Sequence, residues 1–360
     1  MVKKVRSVGE GFHERDTRLN YFVKYADRQN FGDYLPELFA KYLLSYPRVQ
    51  ADLYYFVGSV IEESWIKRAL RQATGFPAGV ISFWGCGMRN ETPLSPTARA
   101  LCRFHGVRGP VTRDLLGLPA DTVLGDPGLL VPLIYPKPNI PTQPGADLRD
   151  GNTICIPHIS DESDDTQLLA LSGCGRVVRP EIEASEAGLA GIISEIAQAD
   201  FVLSNSLHGA IIACAYDVPF AFWDSGHIDC PLKWRDFSQS IGIPDIFARN
   251  LRQGIELYRE NASLIAKPKA ADMLLAAPWG CRIYPLMKAL AADGTDISDG
   301  DALIEYLEAR EKIEIQKDFA NDKLNMEYNM RKEMRMMQII SDVSKNAQYF
   351  KRTIFEKFSR

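Results

Sequence analysis

Two runs of short apolar strands alternate with helices on either side of a proline-rich stretch, and this predicts an α/β protein built from two parallel-sheet domains. Three observations carry that fold class. The strands in both runs tend to close in Gly plus polar residues, the pattern of βαβ units whose ligands sit at strand carboxyl ends. Residues 135–150, YPKPNIPTQPGADLRD, hold four prolines and few apolar residues, which marks a linker. From Asp301 to Arg360 there is no Gly and no Pro, while Glu, Lys, Met, Leu and Ile dominate, which marks helix. The expected organisation is an arm over 1–18, a Rossmann-like domain over 19–134, the linker over 135–150 and a second Rossmann-like domain over 151–250. Packing helices over 251–300 and a basic helical tail over 301–360 complete it.

The first run opens with a short strand over 20–23. It passes through DRQNFGD (27–33) into a helix over 35–44, with Asn30 and Asp33 on the turn and Gly32 relieving a crowded backbone. A strand over 53–57 ends in Gly58 and Ser59, and a helix over 63–72 follows. A third strand, 78–83, ends in WGCGMR (84–89). A fourth, 104–107, runs into RGPVTR (108–113) and a helix to residue 116, and a fifth, 121–124, is followed by GDPG (125–128). In the second run a strand over 153–157 ends at His158 and another over 176–178 ends near Arg179. A helix over 188–199 has apolar residues at helical spacing. A strand over 201–203, a polar turn at 204–206, a helix opened by Leu207, His208 and Gly209, and a strand over 218–223 come next. KWRDF (233–237) and a final unit near 241–247 close the run.

Composition narrows the function classes. A chain of 360 residues that is 46% hydrophobic and 24% charged is globular and long enough for two domains. A net charge of -4 leaves no electrostatic footprint for nucleic acid. No run of about 18 apolar residues exists, and MVKKVRSVGEGFHERD has basic residues but no apolar centre, so neither a membrane span nor a signal peptide is expected. Seven cysteines at irregular spacing, with no C-x-x-C pair, suit a reducing compartment and a cytoplasmic location. Cys86, Cys155 and Cys214 read as buried, inert thiols. No dense Asp/His cluster is present, so no metal is expected.

The turn SNSLHG (204–209) is the most informative stretch. It places hydrogen-bonding side chains and one imidazole at a helix N-terminus, where unpaired N–H groups and the helix dipole favour an anion. Two readings stay open at this level: an anion site, or Ser206 as an ordinary N-cap with His208 a plain first-turn residue. The tail poses a similar choice. Met326, Met330, Met334 and Met337 form one stripe of a helix, and residues 331–360 hold eight Lys/Arg against three Asp/Glu. Such a helix packs on the body, lies on an anionic membrane at the inner face, or pairs with a second copy.

The motifs N-F-G-D (30–33), G-S (58–59), W-G-C-G-M-R (84–89), V-R-G-P-V-T-R (107–113), G-D-P (125–127), I-P-H (156–158), S-N-S-L-H-G (204–209) and K-W-R-D-F (233–237), in this order and spacing, resemble the polysaccharide pyruvyl transferase family. The resemblance runs from about residue 20 to 247, and V-R-G-P-V-T-R and S-N-S-L-H-G carry most of it. Those enzymes move an enolpyruvyl unit from phosphoenolpyruvate onto a sugar, usually closing a pyruvate ketal. The resemblance implies a glycosyltransferase-B-like arrangement, two Rossmann-like domains facing across a cleft. It implies phosphoenolpyruvate as donor substrate with no cofactor. The acceptor would be a glycan of a bacterial exopolysaccharide, capsule or lipid-linked oligosaccharide, an undecaprenyl-linked carrier among the forms it takes.

On this reading His208 stands where the family has its key histidine and is the acid/base candidate, with His158 a second. Arg108, Lys233 and Arg89, with Ser206 and Leu207 at the helix N-terminus, are the candidates for holding phosphoenolpyruvate; Arg113, Arg179 and Arg235 also lie at or near strand tips or on the cleft-side loop. Asn30, Asp33 and Gly58 are the candidates for the acceptor, with a purely structural turn the alternative at Asn30 and Asp33. The acidic stretch over 160–167 reads as a solvated loop. A nucleotide-sugar glycosyltransferase on the same architecture, with Glu181 or Glu183 on a ribose, and a non-catalytic scaffold of a polysaccharide assembly complex are the competing functions.

Overall fold

The computed structural model describes residues 19–20, 28–74, 79–137 and 152–296. All belong to one compact unit, Met1–Leu307; a second unit, Glu308–Arg360, lies outside the described residues. So do the arm expected over 1–18, most of the linker and the tail expected over 301–360. The fold is α/β with two parallel sheets. In the first, Leu53–Tyr55, Ile81–Phe83 and Cys102–Phe104 lie side by side in sequence order. Parallel bridges from Leu19 to Tyr54 and from Val107 to Leu124 widen it on both edges. In the second, five parallel strands run in the order Phe247–Ala248, Phe220–Trp223, Phe201–Ser204, Thr153–Ile156 and Arg176–Val177. The central three strands of that sheet are buried at every residue, as expected of a parallel sheet covered on both faces.

Two short antiparallel ribbons carry no signal in the sequence. Arg28–Asn30 pairs with Glu181–Glu183, and Leu44–Pro47 pairs with Trp279–Cys281. Between these strands the helix Phe31–Tyr42 packs beside Glu186–Ala197 of the second run. Its first N–H donates to the Pro180 carbonyl at 3.0 Å, and Lys41 and Tyr42 both reach Glu186. The segment that precedes the first sheet is therefore fastened to the second half of the chain. One apolar cluster records this, running from Leu19, Phe31 and Phe39 through Trp84 to Ile154, Ile211 and Trp279.

The helix Leu207–Ala215 is buried along its whole length, which is why its sequence is apolar on every side. The 3-10 helix Pro127–Leu133 lies against it so closely that a Cβ on Gly128 would come within 2.7 Å of the Ile211 side chain. That contact sets the geometry of the site, because Asp126 caps the 3-10 helix and His208 stands in the first turn of its neighbour. Among the described residues no helix is long and apolar enough to cross a membrane. All seven cysteines are free, and Cys86, Cys155 and Cys214 are buried.

Candidate functional site

The strand Phe201–Ser204 stops at a tight turn. Ser204 Oγ donates to the Ser206 carbonyl at 2.6 Å and accepts from the Ser206 N–H at 3.2 Å. Ser206 is the N-cap residue of Leu207–Ala215, yet its side chain makes no capping hydrogen bond. The first-turn N–H groups are therefore met by no side-chain cap, which is the state an anion site requires.

His208 is enclosed. Gly32 lies against its ring, and a Cβ there would overlap the imidazole. Phe31 meets the ring edge-on at 6.4 Å. Nε2 is buried with no hydrogen-bond partner, and the nearest carboxylate oxygen is Asp126 Oδ1 at 3.8 Å. Burial is the chief cause that lowers its pKa to about 4; Asp126 opposes this, and Arg108 and Lys233 add to it. Enclosure, with the Gly32 turn against the ring, is thus the main effect. In the free protein this imidazole is neutral at pH 7.

Arg108 is fully buried. Its Nε donates to Asp126 Oδ2 at 3.1 Å and its Nη1 to Ser59 Oγ at 2.8 Å. Asp126 serves three partners at once: Arg108, the Gly128 N–H at 2.9 Å and, more distantly, His208. Gly87 leaves room for the guanidinium, since a Cβ there would sit 2.7 Å from Nη1. Behind it lies buried Asp236, which accepts from the Thr112 N–H at 2.9 Å and the Thr112 hydroxyl at 2.7 Å. Burial raises the Asp236 carboxyl, with Arg108 opposing.

Lys233, on the helix Pro231–Ser240, lies close enough for its charge to act on both His208 and Asp33. Its Nζ lies 2.7 Å from Asp229 Oδ2. That oxygen also lies 3.6 Å from His158 Nε2, an ion-pair distance rather than a hydrogen bond. His158 Nδ1 is 2.6 Å from Ser160 Oγ, and the ring stands edge-on to His227 at 6.4 Å. The His158 interaction, ahead of Lys233, holds the Asp229 carboxyl below the ordinary carboxylate range. Asp33 is in the first turn of Phe31–Tyr42, beside Gly32. It keeps a partly accessible edge, but the protein packed around it pushes its carboxyl from the ordinary 3.8 up to about 7, with Lys233 pulling the other way.

The other expected residues have partners of their own. Asn30 caps its helix, Oδ1 accepting from the Gly32 N–H at 3.1 Å. Gly58, at φ +101, offers its carbonyl to the Gly87 N–H. Arg89 lies over the Trp65 ring at 4.7 Å, 3.8 Å from Glu62. Arg113 pairs with Asp114, and Arg235 with Glu91. Arg179 binds Asp165 and the carbonyls of Asp161 and Ser163. The stretch over 160–167 is thus more organised than a solvated loop, with Asp164 also forming a capping box with Gln167. Among the described residues no group of three or more His, Cys, Asp or Glu is arranged as metal ligands.

The family described as polysaccharide pyruvyl transferase matches residues 12–225, more than half of the sequence. The chain belongs to that family. Over 149 residues it is 26% identical to the succinoglycan biosynthesis protein ExoV of Rhizobium meliloti (strain 1021), a stretch that covers 39% of this chain and 41% of that protein. The chain thus matches less than half the length of that curated relative. No solved structure matches it. Within this polysaccharide pyruvyl transferase family member, Asp33, Arg108, Asp126, His158 and His208 fall inside the matched range, and Asp229 and Lys233 just beyond it.

Asp126, Asp229, Asp236, Thr112 and Ser59 were missed as site residues by sequence reasoning. Each has a trace there: Asp126 is the acid of G-D-P, Ser59 the serine of G-S, and Thr112 and Asp236 lie in quoted motifs. Asp229 lies four residues before Lys233, just ahead of the helix Pro231–Ser240.

Proposed function

We propose that this protein moves the enolpyruvyl group of phosphoenolpyruvate onto a sugar of a bacterial exopolysaccharide, capsule or lipid-linked oligosaccharide and closes it to a pyruvate ketal. The observation that carries this reading is the convergence of His208, the Arg108–Asp126 pair, Lys233 and Asp33 at one uncapped helix N-terminus, in a chain of this family. Phosphoenolpyruvate carries a phosphate and a carboxylate. Lys233, the Ser206 hydroxyl and the Leu207 N–H suit the phosphate, and Arg108, held by Asp126 and Ser59, supplies a fixed positive charge. Arg89 is the outer candidate for the same anion.

His208 is the proposed acid. An arriving dianion opposes the burial that keeps the imidazole neutral, so the donor brings the condition for protonating its own acid. The proton passes from His208 to the methylene carbon, C2 becomes cationic, and a sugar hydroxyl adds there. His158 takes up the proton of that first hydroxyl and passes it to water. Phosphate leaves with the C2–O bonding pair and gains a proton from water, and a second hydroxyl attacks C2, its proton returning to His208. Asp33 and Gly58, with Asn30 shaping the turn beneath them, face the acceptor in this proposal. Glu181, kept for a ribose in the glycosyltransferase alternative, is ion-paired with Arg28 at 2.8 Å, so that alternative gains no support.

The test is phosphate release from phosphoenolpyruvate with extracted lipid-linked glycans, run beside UDP-sugars. Turnover with phosphoenolpyruvate alone is expected, and His208→Ala should lower it by about 10² to 10⁴-fold. Turnover only with UDP-sugars, or a His208→Ala enzyme within a few-fold of wild type, refutes the assignment.

A further inference from the structure

We propose that Asp229 is a positioning residue shared between Lys233 and His158, so that capture of Lys233 by the donor's phosphate hands Asp229 over to His158. The pyruvyl-transfer reading supplies only the identity of the anion; the shared carboxylate stands on distances. One oxygen, Asp229 Oδ2, lies 2.7 Å from Lys233 Nζ and 3.6 Å from His158 Nε2. One carboxylate oxygen therefore serves an ammonium and an imidazole, and the ammonium is the nearer of the two. The Lys233 charge is also felt at Asp33 and His208. His158 faces Asp229 and the His227 ring across from it, and on its own loop it has Ser160 at Nδ1. Asp161, also on that loop, is directed to the Ser163 N–H and the Ser225 hydroxyl.

A phosphate dianion gives the ammonium a stronger partner than a single carboxylate. With Lys233 drawn away, Asp229 faces His158 alone and favours its imidazolium form. As the acceptor oxygen bonds to C2 its O–H bond breaks, and the proton moves by way of Ser160 Oγ to Nδ1. The result is an imidazolium whose Nε2–H points to Asp229. When product phosphate leaves, Lys233 returns to Asp229 and His158 releases the proton to water. The base is strong only while the donor side is filled, so donor binds before acceptor.

The experiment is a histidine titration by NMR with ¹³Cε1-labelled histidine. The chain has five histidines, and His158 is assigned by the resonance lost in His158→Gln. Wild type, Lys233→Gln, Asp229→Asn and the double variant are titrated without donor. Lys233→Gln should raise the His158 midpoint by about one pH unit, and by less than half as much when Asp229→Asn is already present. Inorganic phosphate or phosphoenolpyruvate added to wild type should reproduce the rise, and Asp229→Asn should abolish it. Equal Lys233→Gln shifts in both backgrounds overturn the shared carboxylate. A His158 midpoint that ignores phosphoenolpyruvate while the enzyme consumes it overturns the hand-over. If phosphoenolpyruvate is never consumed but the two substitutions remain non-additive, the donor assignment fails and the shared carboxylate is upheld.

Discussion

Replacing Asp33 by Asn should make the protein more stable and less active, with a pH signature set by its largely enclosed carboxyl. The folded carboxyl is pushed from 3.8 to about 7. Below about pH 4 both folded and unfolded chains hold the proton, and Asp33 costs the fold nothing. Between about pH 4 and 7 the unfolded chain releases the proton while the folded chain retains it, so wild-type stability falls as pH rises. Above 7 the full cost of a charged, enclosed carboxylate is present. Each pH unit corresponds to about 1.4 kcal/mol, which bounds the effect at about 4 kcal/mol. Partial solvent access reduces this to about 1–2 kcal/mol. Urea unfolding of wild type and Asp33→Asn at pH 4 and pH 8 reads it directly. The two should coincide at pH 4, and Asp33→Asn should be the more stable by about 1–2 kcal/mol at pH 8, with turnover falling at least about tenfold as a stability–activity trade-off. A difference that does not change with pH, or a variant less stable at pH 8, refutes the reasoning.

Gly32→Ala should displace the His208 ring, because the new methyl would overlap it, and cost about 10²-fold in turnover; circular dichroism would check that the fold survives, and near-normal activity would show the ring free to move. Arg108→Ala strands the buried Asp126 carboxylate and should cost about 3–5 kcal/mol in urea unfolding. If it unfolds like wild type and only the apparent KM for phosphoenolpyruvate rises, its role is in binding rather than in holding Asp126. The net charge of +5 over residues 331–360 should make the full chain sediment with anionic but not zwitterionic vesicles, since each charge contributes about 1 kcal/mol near an anionic leaflet, and high salt should release it. A dimer in solution with no vesicle binding would assign the methionine stripe to self-association instead.

What the sequence made visible was the set of strand tips. Apolar runs ending in Gly and polar residues placed Arg108, His158 and His208 at carboxyl ends of parallel strands, where the structure has them. The partners of these residues were not visible, because each partnership joins distant segments. Asp126 belongs to a tripeptide too common to single out, and it acquires a role only because Gly128 lets its short helix lie on Ile211. The ribbon strands RQN and EIE are three residues each, too short to show a period of two. Burial, the main influence on His208 and Asp33, is a property of packing between residues about 175 apart in sequence, which no local pattern encodes.

The two antiparallel ribbons have a consequence for how the protein is made. Arg28–Asn30 waits for Glu181–Glu183, and Leu44–Pro47 waits for Trp279–Cys281. The first helix therefore has no finished seat until more than 230 further residues have left the ribosome, and pairings of such separation close slowly. Gly32 and Asp33 ride on that helix, so the pocket around His208 is completed late, by the segment synthesised among the first. A nascent chain halted after the second sheet would carry His208, Asp126 and Lys233 but would lack the second clasp, leaving apolar Leu43 and Leu44 on offer to chaperones or to a neighbouring chain.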